Sequence, residues 1–325
     1  MIRYLRHDEI DFDKWDRCVD HAMNGMLYAW SWYLEMVSPA WDAIVEGDYE
    51  SVMPLPTKKK WGIAYIYQPF FAQQLGVFST RSLSSEVIGR FVHAIPRRFL
   101  YADICLNTFN ALSPAPNRKV YQLRTFELDL IQDHQRLVEA YSENTRRNIK
   151  KAEKNGVFVA SQGRPEDIIQ AFKDNRGRDL RSFSERDYLV LKHIIYSGMH
   201  KGQVKTYVAY TRENTFCAGG VFYNSNNKVI FLFSGMTAEA RGNGAMFMLI
   251  DAFIRDHAGQ ALILDFEGSS DENLARFYRG FGSKECVFLR LVLNRLPPML
   301  SPLTTLYTRI RHGTTGRGIK IIEQT

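Results

Sequence analysis

Cysteine is scarce in this chain of 325 residues, and the four copies stand far apart, at Cys18, Cys105, Cys217 and Cys286. None of them forms a CxxC pair, and the eight histidines form no HxxxH or HExxH pattern. The sequence therefore predicts no metal site and no disulfide framework, and it favours a reducing compartment.

Long apolar runs are also missing. A membrane-spanning helix needs about 20 apolar residues, whereas the longest run, around Val229–Phe233, has the length of a strand. The first 20 residues contain no apolar stretch of the kind found in secretory signals. We therefore expect a cytoplasmic protein without a spanning helix.

The excess of positive charge is local. The net charge is +7 with a pI near 9.1, and basic residues gather in one predicted helix and in the tail, namely Arg146, Arg147, Lys150, Lys151 and Lys154, then Arg309, Arg311, Arg317 and Lys320. This bias suits a phosphate-bearing partner such as coenzyme A, a nucleotide-linked sugar, tRNA or an anionic membrane. Charge alone selects none of these, and we expect no DNA partner.

The most informative segment runs from residue 261 to 284. Leu262–Phe266 has the composition of a buried strand and is followed by Gly268. Ser270 or Asp271 can cap a helix that ends at Gly282, with apolar residues at helical spacing: Leu274, Phe277, Tyr278 and Phe281. A strand that ends in a polar bend before a short helix is a recurrent layout of active sites.

Three side chains of this segment are candidates for catalysis. Tyr278 would protonate a leaving thiolate or alcohol, or it would simply pack its helix against the sheet. Asp265 and Glu267 alternate along the strand and should point to the same side. One of them, with Glu267 preferred, would deprotonate or hold an incoming ammonium. Alternatively, each would bond loop amides or pair with an arginine.

The element order predicts two related halves. The second half has the order β-α-α-β-β-β-α-β-α-β, with Cys286–Asn294 as its closing strand. The first half repeats this order less completely, with Tyr121–Leu130 as its closing strand. We predict an α/β (α+β) fold with domains at 1–130 and 131–296, each a mixed, mainly antiparallel sheet flanked by helices. Residues 297–325 form a basic tail.

Three motifs, together with this element order, resemble the GCN5-related N-acetyltransferase (GNAT) superfamily, and within it the FemABX-like group. Tyr141–Val157, which contains S-E-N-T-R-R-N-I-K-K-A-E-K-N-G-V, is similar to the helix that opens the group's second domain. Gln68–Val77 resembles a first-domain loop, and Ala275–Gly282 resembles the A-x-x-F-Y-x-x-x-G helix that ends GNAT domains. The resemblance covers roughly residues 1–296.

The resemblance implies two tandem GNAT-like (acyl-CoA N-acyltransferase-like) domains, the first degenerate, and an acyl donor with an amine acceptor. Acyl-CoA and aminoacyl-tRNA are the donors of the two groups, and neither is a tightly bound cofactor. The residues that would hold donor phosphates are those of the loop that matches Q/R-x-x-G-x-G/A, namely Arg241, Gly242, Gly244 and Ala245. Met246 replaces the final small residue of that pattern, so we expect weak affinity for coenzyme A. The absence of sustained heptads argues against the coiled-coil arm that many tRNA-using members carry.

Other positions carry substrate-binding hypotheses with plain alternatives. Gln73 and Gln74 would bind polar groups of the acceptor substrate, or they would form an ordinary turn. Arg146 and Arg147 would contact phosphates, or they would belong to a solvated face supported by Glu143 one turn before Arg147. In the tail, an apolar stripe predicts an amphipathic helix that docks on the first domain or lies on an anionic membrane: Leu303, Leu306, Tyr307 and Ile310.

Two hypotheses follow. The first is an acyltransferase or aminoacyltransferase that moves an acyl group from a thioester or ester donor to an amine, for example of a cell-envelope precursor or a metabolite, without a covalent enzyme intermediate. The second is a non-catalytic binding or scaffold protein on the same fold.

Overall fold

A computed structural model gives the fold of residues 1–116, 118–175, 177, 183–268, 271–297 and 320–321. Contacts between residues group the chain into two compact units. Unit one consists of Met1–Arg124 together with Cys286–Thr325, and unit two consists of Thr125–Glu285. This grouping differs from the predicted division at residues 130 and 296, because the chain returns to unit one for its last long strand.

The first part of the chain alternates short helices with strands. Its elements, in chain order, are β1 (Ile2–Leu5), α1 (Phe12–His21), α2 (Ser31–Val37), β2 (Asp42–Glu46), β3 (Ser51–Leu55), β4 (Thr57–Lys60), β5 (Ile63–Tyr67), β6 (Phe78–Ser79), α3 (Ser85–His93), β7 (Phe99–Cys105) and β8 (Arg118–Asp129). Polar caps begin two of the helices, since Asp11 accepts the N–H of Lys14 and Ser84 accepts that of Val87.

The remaining elements alternate in the predicted way. They are α4 (His134–Glu139), α5 (Glu143–Lys154), β9 (Phe158–Ser161), α6 (Pro165–Asp174), α7 (Glu185–His200), β10 (Val204–Tyr210), β11 (Phe216–Ser225), β12 (Lys228–Met236), α8 (Ala245–His257), β13 (Ile263–Asp265), α9 (Glu272–Arg279), β14 (Lys284–Asn294) and β15 (Lys320–Ile321). The mixed α/β class predicted from the sequence is confirmed.

Unit one contains two groups of paired strands. The first has the order β1-β2-β3-β6, and the second has the order β4-β5-β7-β14. The last strand joins through residues Arg290–Asn294, which run antiparallel to Tyr101–Cys105 of β7. A buried bidentate ion pair fixes this register, because Arg290 donates to both carboxylate oxygens of Asp103 at 2.7 and 2.6 Å.

Unit two is built on an antiparallel meander that runs from β9 through β10 and β11 to β12. On the far side of β12 lies β13, which is parallel to it, and β13 in turn pairs antiparallel with the end of β8. The core combines aromatic and aliphatic side chains from the sheet and from α8, including Phe222, Phe253, Ile254, Leu264 and Phe266.

The two predicted closing strands have exchanged roles. The end of β8, predicted to close the first half, pairs with β13 of unit two. The end of β14, predicted to close the second half, pairs with β7 of unit one. An apolar strand pattern specifies that a segment is buried but not which neighbour it pairs with, and so the sequence did not predict this exchange.

The amphipathic stripe predicted in the tail, from Leu303 to Ile310, lies outside the described residues. β15 pairs antiparallel with Tyr121 and Gln122 of β8. Within the part of the chain that the structure describes, no helix has the length and apolar character needed to cross a bilayer.

Candidate active site

A cleft opens in unit two where β12 and β13 separate. The two strands pair only over Lys228–Ile230 and Ile263–Asp265, and beyond these residues the chain segments diverge. The cleft between them has a volume of about 850 Å3, within the range of small-molecule sites. Its walls come from the end of β12, the loop before α8, the bend after β13 and the helix α9.

A β-bulge shapes the β12 wall. Val221 and Phe222 of β11 are consecutive, yet they pair with Phe233 and Phe231, so Leu232 is an extra residue on β12. A bulge bends its strand and re-aims the neighbouring side chains, and bulges are frequent beside active sites. The whole stretch Phe231–Met236 lines the cleft.

Most of the lining is aromatic. The rings of Phe172 and Phe233 lie 4.7 Å apart on one side, and those of Phe247 and Phe277 lie 4.7 Å apart on another. Phe172 comes from α6, and Phe247 comes from the first turn of α8. Such a lining suits the apolar part of a ligand, with the few polar groups at the mouth setting its orientation.

Tyr278 lies on α9, as the sequence predicted, and lines the cleft. Asp271 begins this helix by accepting the N–H groups of Asn273 and Leu274. The ring of Tyr278 stacks on Phe266 with centroids 5.0 Å apart, and the residue is 7% exposed. Phe277 lines the cleft as well. Both residues can line the cleft because neighbouring helical residues are only about 100° apart around the axis.

The two carboxylates do not share one side of the strand. Glu267 lines the cleft, whereas Asp265 is buried below it. The reason is a bend: Glu267 has a left-handed φ of 53°, and this breaks the alternation on which the prediction rested. One oxygen of Asp265 accepts the N–H of Glu267 at 3.0 Å and the hydroxyl of Thr125 at 2.6 Å. Asp265 therefore binds a loop amide, which was the alternative stated for it.

Asp265 also belongs to a buried group of charges. Lys228, at the start of β12, lies 2.6 Å from Glu127 and 3.5 Å from Asp265. Burial opposes the charge of Lys228, but the neighbouring carboxylates Asp265 and Glu127 outweigh that effect and raise the pKa of Lys228 above its ordinary value. The ammonium is thus retained at neutral pH, where it faces two carboxylates, and burial raises the pKa of Asp265 above its ordinary value.

The loop before α8 contributes some of its predicted residues to the cleft. Arg241 and Gly244 line it, whereas Gly242 and Ala245 are not among the lining residues. Gly244 has a φ of 82°, and a Cβ there would lie 2.3 Å from the carbonyl oxygen of Asn148 on α5. Only glycine fits this contact between the loop and the basic helix.

The amides of this loop are partly occupied. The side chain of Asn243 accepts the N–H of Ala245 at 3.0 Å, so this amide is already bonded. Met246, at 9% exposure, packs in the core and lines the cleft at the first turn of α8. A pyrophosphate at this helix N-terminus would have to displace the bond to Ala245 and lie beside the Met246 side chain, and weak affinity for coenzyme A stays a prediction.

Asn175 is a cleft residue that the sequence did not single out. It follows α6 directly, its side-chain oxygen accepts a hydrogen bond from Arg241 at 2.6 Å, and its amide donates to the carbonyl of Met236 at 3.1 Å. An asparagine just past a helix is a recognisable signal for a helix end. Its partners Met236 and Arg241 lie 61 and 66 residues later in the chain, so no local sequence pattern could indicate these contacts.

The remaining predicted residues lie elsewhere. Arg146 and Arg147 are exposed on α5 and are not among the cleft-lining residues, and Arg147 donates to Asn144 rather than pairing with Glu143. Gln73 and Gln74 belong to unit one. Gln74 is fully buried, and its side chain accepts the N–H of Thr108 and donates to Gln73. This supports the turn alternative for Gln74.

Among the described residues, no three His, Cys, Asp or Glu side chains gather closely enough to hold a metal ion. The cleft side chains that carry protons or charge are Tyr278, Glu267, Asp271 and Arg241. They can supply acid–base and electrostatic functions at the mouth of an apolar cleft.

Comparison with solved structures supports the predicted fold, whereas comparison with curated sequences finds no relative. No protein-family model matches the sequence, and a comparison with curated protein sequences finds no match. Among solved structures, FemX superposes with a TM-score of 0.60 at 13% identity, covering 94% of this chain and 99% of FemX. The chain has a FemABX-like, GNAT-type fold.

Two further solved structures are similar to this chain. The C-terminal domain of a protein assigned as a lysylphosphatidylglycerol synthetase from Agrobacterium fabrum has a TM-score of 0.55 at 11% identity, covering 91% of this chain and 96% of the domain. L-PGS from Bacillus licheniformis has a TM-score of 0.53 at 12% identity, covering 94% of this chain and 98% of L-PGS. Identities this low establish the fold alone, so the function has to be argued from the cleft.

Proposed function

We propose that the protein is an acyltransferase that binds its acyl donor in the cleft of unit two and transfers the acyl group to an amine. The observation that carries the proposal is the position of Tyr278 and Glu267, a proton donor and a carboxylate, on the wall of an apolar cleft where two strands separate. The similarity of the fold to that of FemX supports the same proposal.

In this proposal each cleft residue has one role. Glu267 takes one proton from the acceptor ammonium, and the neutral amine then attacks the donor carbonyl carbon. Tyr278 gives its proton to the leaving sulfur or oxygen as the bond to the acyl carbon breaks, and the second proton lost from the nitrogen returns to the Tyr278 oxygen as the amide forms. Attack is direct, so the acyl group passes from donor to amine in a single exchange.

The polar mouth orients the donor. Arg241, fixed by its hydrogen bond to Asn175, supplies positive charge for a donor phosphate. The bonded amide of Ala245 and the buried Met246 favour an ester donor such as an aminoacyl-tRNA over coenzyme A thioesters. As predicted from the sequence, we propose that the acceptor is a cell-envelope precursor or a smaller amine. The proposal also includes a contact of the protein with an anionic membrane.

We also propose that the two units are tandem GNAT-like domains, the first degenerate, and that the protein works in the cytoplasm. The repeated element order supports the duplication, and the scattered cysteines, all free, support the location. Superposition of unit one on unit two should align most strands. Two unrelated strand orders would contradict the duplication.

Donor binding tests the proposal. Hydrogen–deuterium exchange should be measured with and without palmitoyl-CoA, acetyl-CoA or alanyl-tRNA. We expect at least one donor, with alanyl-tRNA ahead of the thioesters, to protect Phe231–Met236 and α9. Protection without transfer to any amine would support the non-catalytic alternative. No protection by any of the three would contradict a donor site in this cleft.

A further inference from the structure

The hairpin that joins β4 and β5 carries an unusual residue at its tip. Lys60 pairs with Ile63, so the turn consists of Trp61 and Gly62 alone. Both have a positive φ, 51° for Trp61 and 80° for Gly62. Two-residue turns of this kind favour Asn-Gly, because asparagine tolerates the left-handed conformation and a bulky side chain does not. Local folding therefore does not explain the tryptophan.

Trp61 is also far from any core. It is 77% exposed, whereas Trp15 and Trp41 are fully buried. The three residues before it, Lys58, Lys59 and Lys60, are exposed. The ammonium of Lys60 lies 4.7 Å from the centroid of the Trp61 ring, a cation–π distance. The tip thus joins one large amphipathic ring to three positive charges.

Edge protection explains only part of this tip. β4 lies at the edge of its strand group in unit one, and lysines on an edge strand discourage pairing with other chains. That role needs the lysines but gains nothing from an exposed tryptophan beside them. The surrounding sequence increases the charge contrast, since no Asp or Glu occurs between Glu50 and Glu86.

We propose that this hairpin tip docks on an anionic lipid bilayer, with Trp61 at the level of the headgroups and the three lysines against lipid phosphates. Tryptophan prefers the membrane interface, where its ring is apolar and its N–H remains hydrated. Clustered lysines are attracted to anionic leaflets. A nucleic acid is a poorer fit, because single strands are bound by a row of aromatic rings on which successive bases stack, whereas this turn offers the ring of Trp61 alone.

The hairpin tip shares no residue with the donor cleft or with the tail segment for which membrane contact was predicted. The hairpin lies in unit one, among described residues, whereas the cleft belongs to unit two. The docking inference therefore does not depend on the proposed acyltransferase activity, and its failure would leave that activity untouched.

Co-sedimentation of the full chain with vesicles tests the inference. The vesicles contain phosphatidylglycerol and phosphatidylcholine in equal amounts, and pure phosphatidylcholine vesicles serve as reference. We expect Trp61→Asn to weaken binding at least tenfold while leaving the melting temperature unchanged or higher, because asparagine suits the turn. The triple change Lys58→Gln, Lys59→Gln, Lys60→Gln should weaken binding by at least as much.

Two matched controls separate the hairpin from overall charge. Lys150→Gln, Lys151→Gln, Lys154→Gln removes the same charge from exposed positions of α5, and Arg309→Gln, Arg311→Gln, Arg317→Gln removes it from the tail. Both should keep most of the binding, and brominated lipid should quench a fluorescence component that Trp61→Asn lacks. Equal losses in all charge variants, binding lost only in the tail variant, or binding to RNA but not to vesicles would overturn the inference.

Discussion

The carboxylate of Asp265 accepts the backbone N–H of Glu267 at 3.0 Å, so one predicted catalytic carboxylate positions the other. Thr125 donates to the same oxygen of Asp265, and the ammonium of Lys228 lies 3.5 Å from the other oxygen. Asp265 is therefore a positioning residue in the proposed reaction. The bend it stabilises presents Glu267 to the cleft with a backbone conformation that few residues other than glycine adopt.

Removal of Asp265 should be costly. Asp265→Ala leaves the hydroxyl of Thr125 and the amide of Glu267 without this acceptor, while Lys228 keeps Glu127, so we expect a loss of about 1–3 kcal/mol in the free energy of unfolding. Urea unfolding measures it. Glu153→Ala, on the exposed side of α5, should change stability by no more than about 0.5 kcal/mol. Equal stabilities of the two variants would mean that the buried charge group is unimportant.

Tyr278→Phe separates chemistry from packing. The ring still stacks on Phe266, so stability should stay nearly unchanged, while turnover falls at least tenfold, or about 1.4 kcal/mol of barrier. Tyr141→Phe is the matched control, because its hydroxyl bonds the carboxylate of Asp251 at 3.1 Å in the interior of unit two. That variant should lose stability and keep turnover. The reverse pattern would make Tyr278 a packing residue.

Met246 decides how the cleft treats coenzyme A. Calorimetry of the unmodified protein should detect weak or no binding of free coenzyme A, because Met246 and the bonded Ala245 amide oppose a pyrophosphate there. Met246→Gly should bind it more tightly, at a cost of about 2–5 kcal/mol in stability for the lost core side chain. Tight binding of coenzyme A by the unmodified protein would contradict this expectation and would favour acetyl-CoA as the donor.

The helix pair behind the cleft predicts a pH dependence. On α6, which carries Phe172, the carboxylate of Glu166 lies 2.7 Å from the ammonium of Lys192 on α7. This hydrogen bond lowers the pKa of Glu166 from 4.5 to about 2. Because the folded pKa is the lower one, the pair stabilises the fold above pH 4.5, and the effect disappears as the pH falls towards 2.

Glu166→Gln should accordingly be less stable than the unmodified protein at neutral pH by about 0.5 kcal/mol, since the pair is partly exposed. The two should converge near pH 2. Thermal melts across this range measure the difference. A gap that stays constant with pH would indicate that the substitution acts through packing rather than through the charge of Glu166.

The sequence predicted the parts of the fold that depend on neighbouring residues. β13, α9 and the meander from β10 to β12 follow from apolar spacing, caps and turns that lie within a few residues of each other. The exchange of the closing strands depends on which neighbouring strand has an edge available for pairing. The amino-acid composition of a strand does not encode this choice. The local pattern was therefore sufficient to predict the helices and strands but not which strands pair with each other.

The candidate site follows the same division. Tyr278 was predicted because a short capped helix places it beside a strand end. The burial of Asp265 was not predicted, because it depends on Lys228, 37 residues earlier, and on Thr125, 140 residues earlier. The aromatic wall was missed for the same reason, since α6, α8, α9 and β12 supply its rings from distant parts of the chain.

The most direct measurement is transfer of a labelled acyl group to lysinamide from alanyl-tRNA, acetyl-CoA or palmitoyl-CoA. We expect an amide product from at least one donor. The double change Glu267→Gln, Tyr278→Phe, which removes both proposed reacting groups from the cleft wall, should reduce that product at least tenfold, whereas Glu153→Gln, at an exposed position on α5, should leave it unchanged. Transfer that survives the double change, or no transfer from any of the three donors, would contradict an acyltransferase acting in the cleft of unit two.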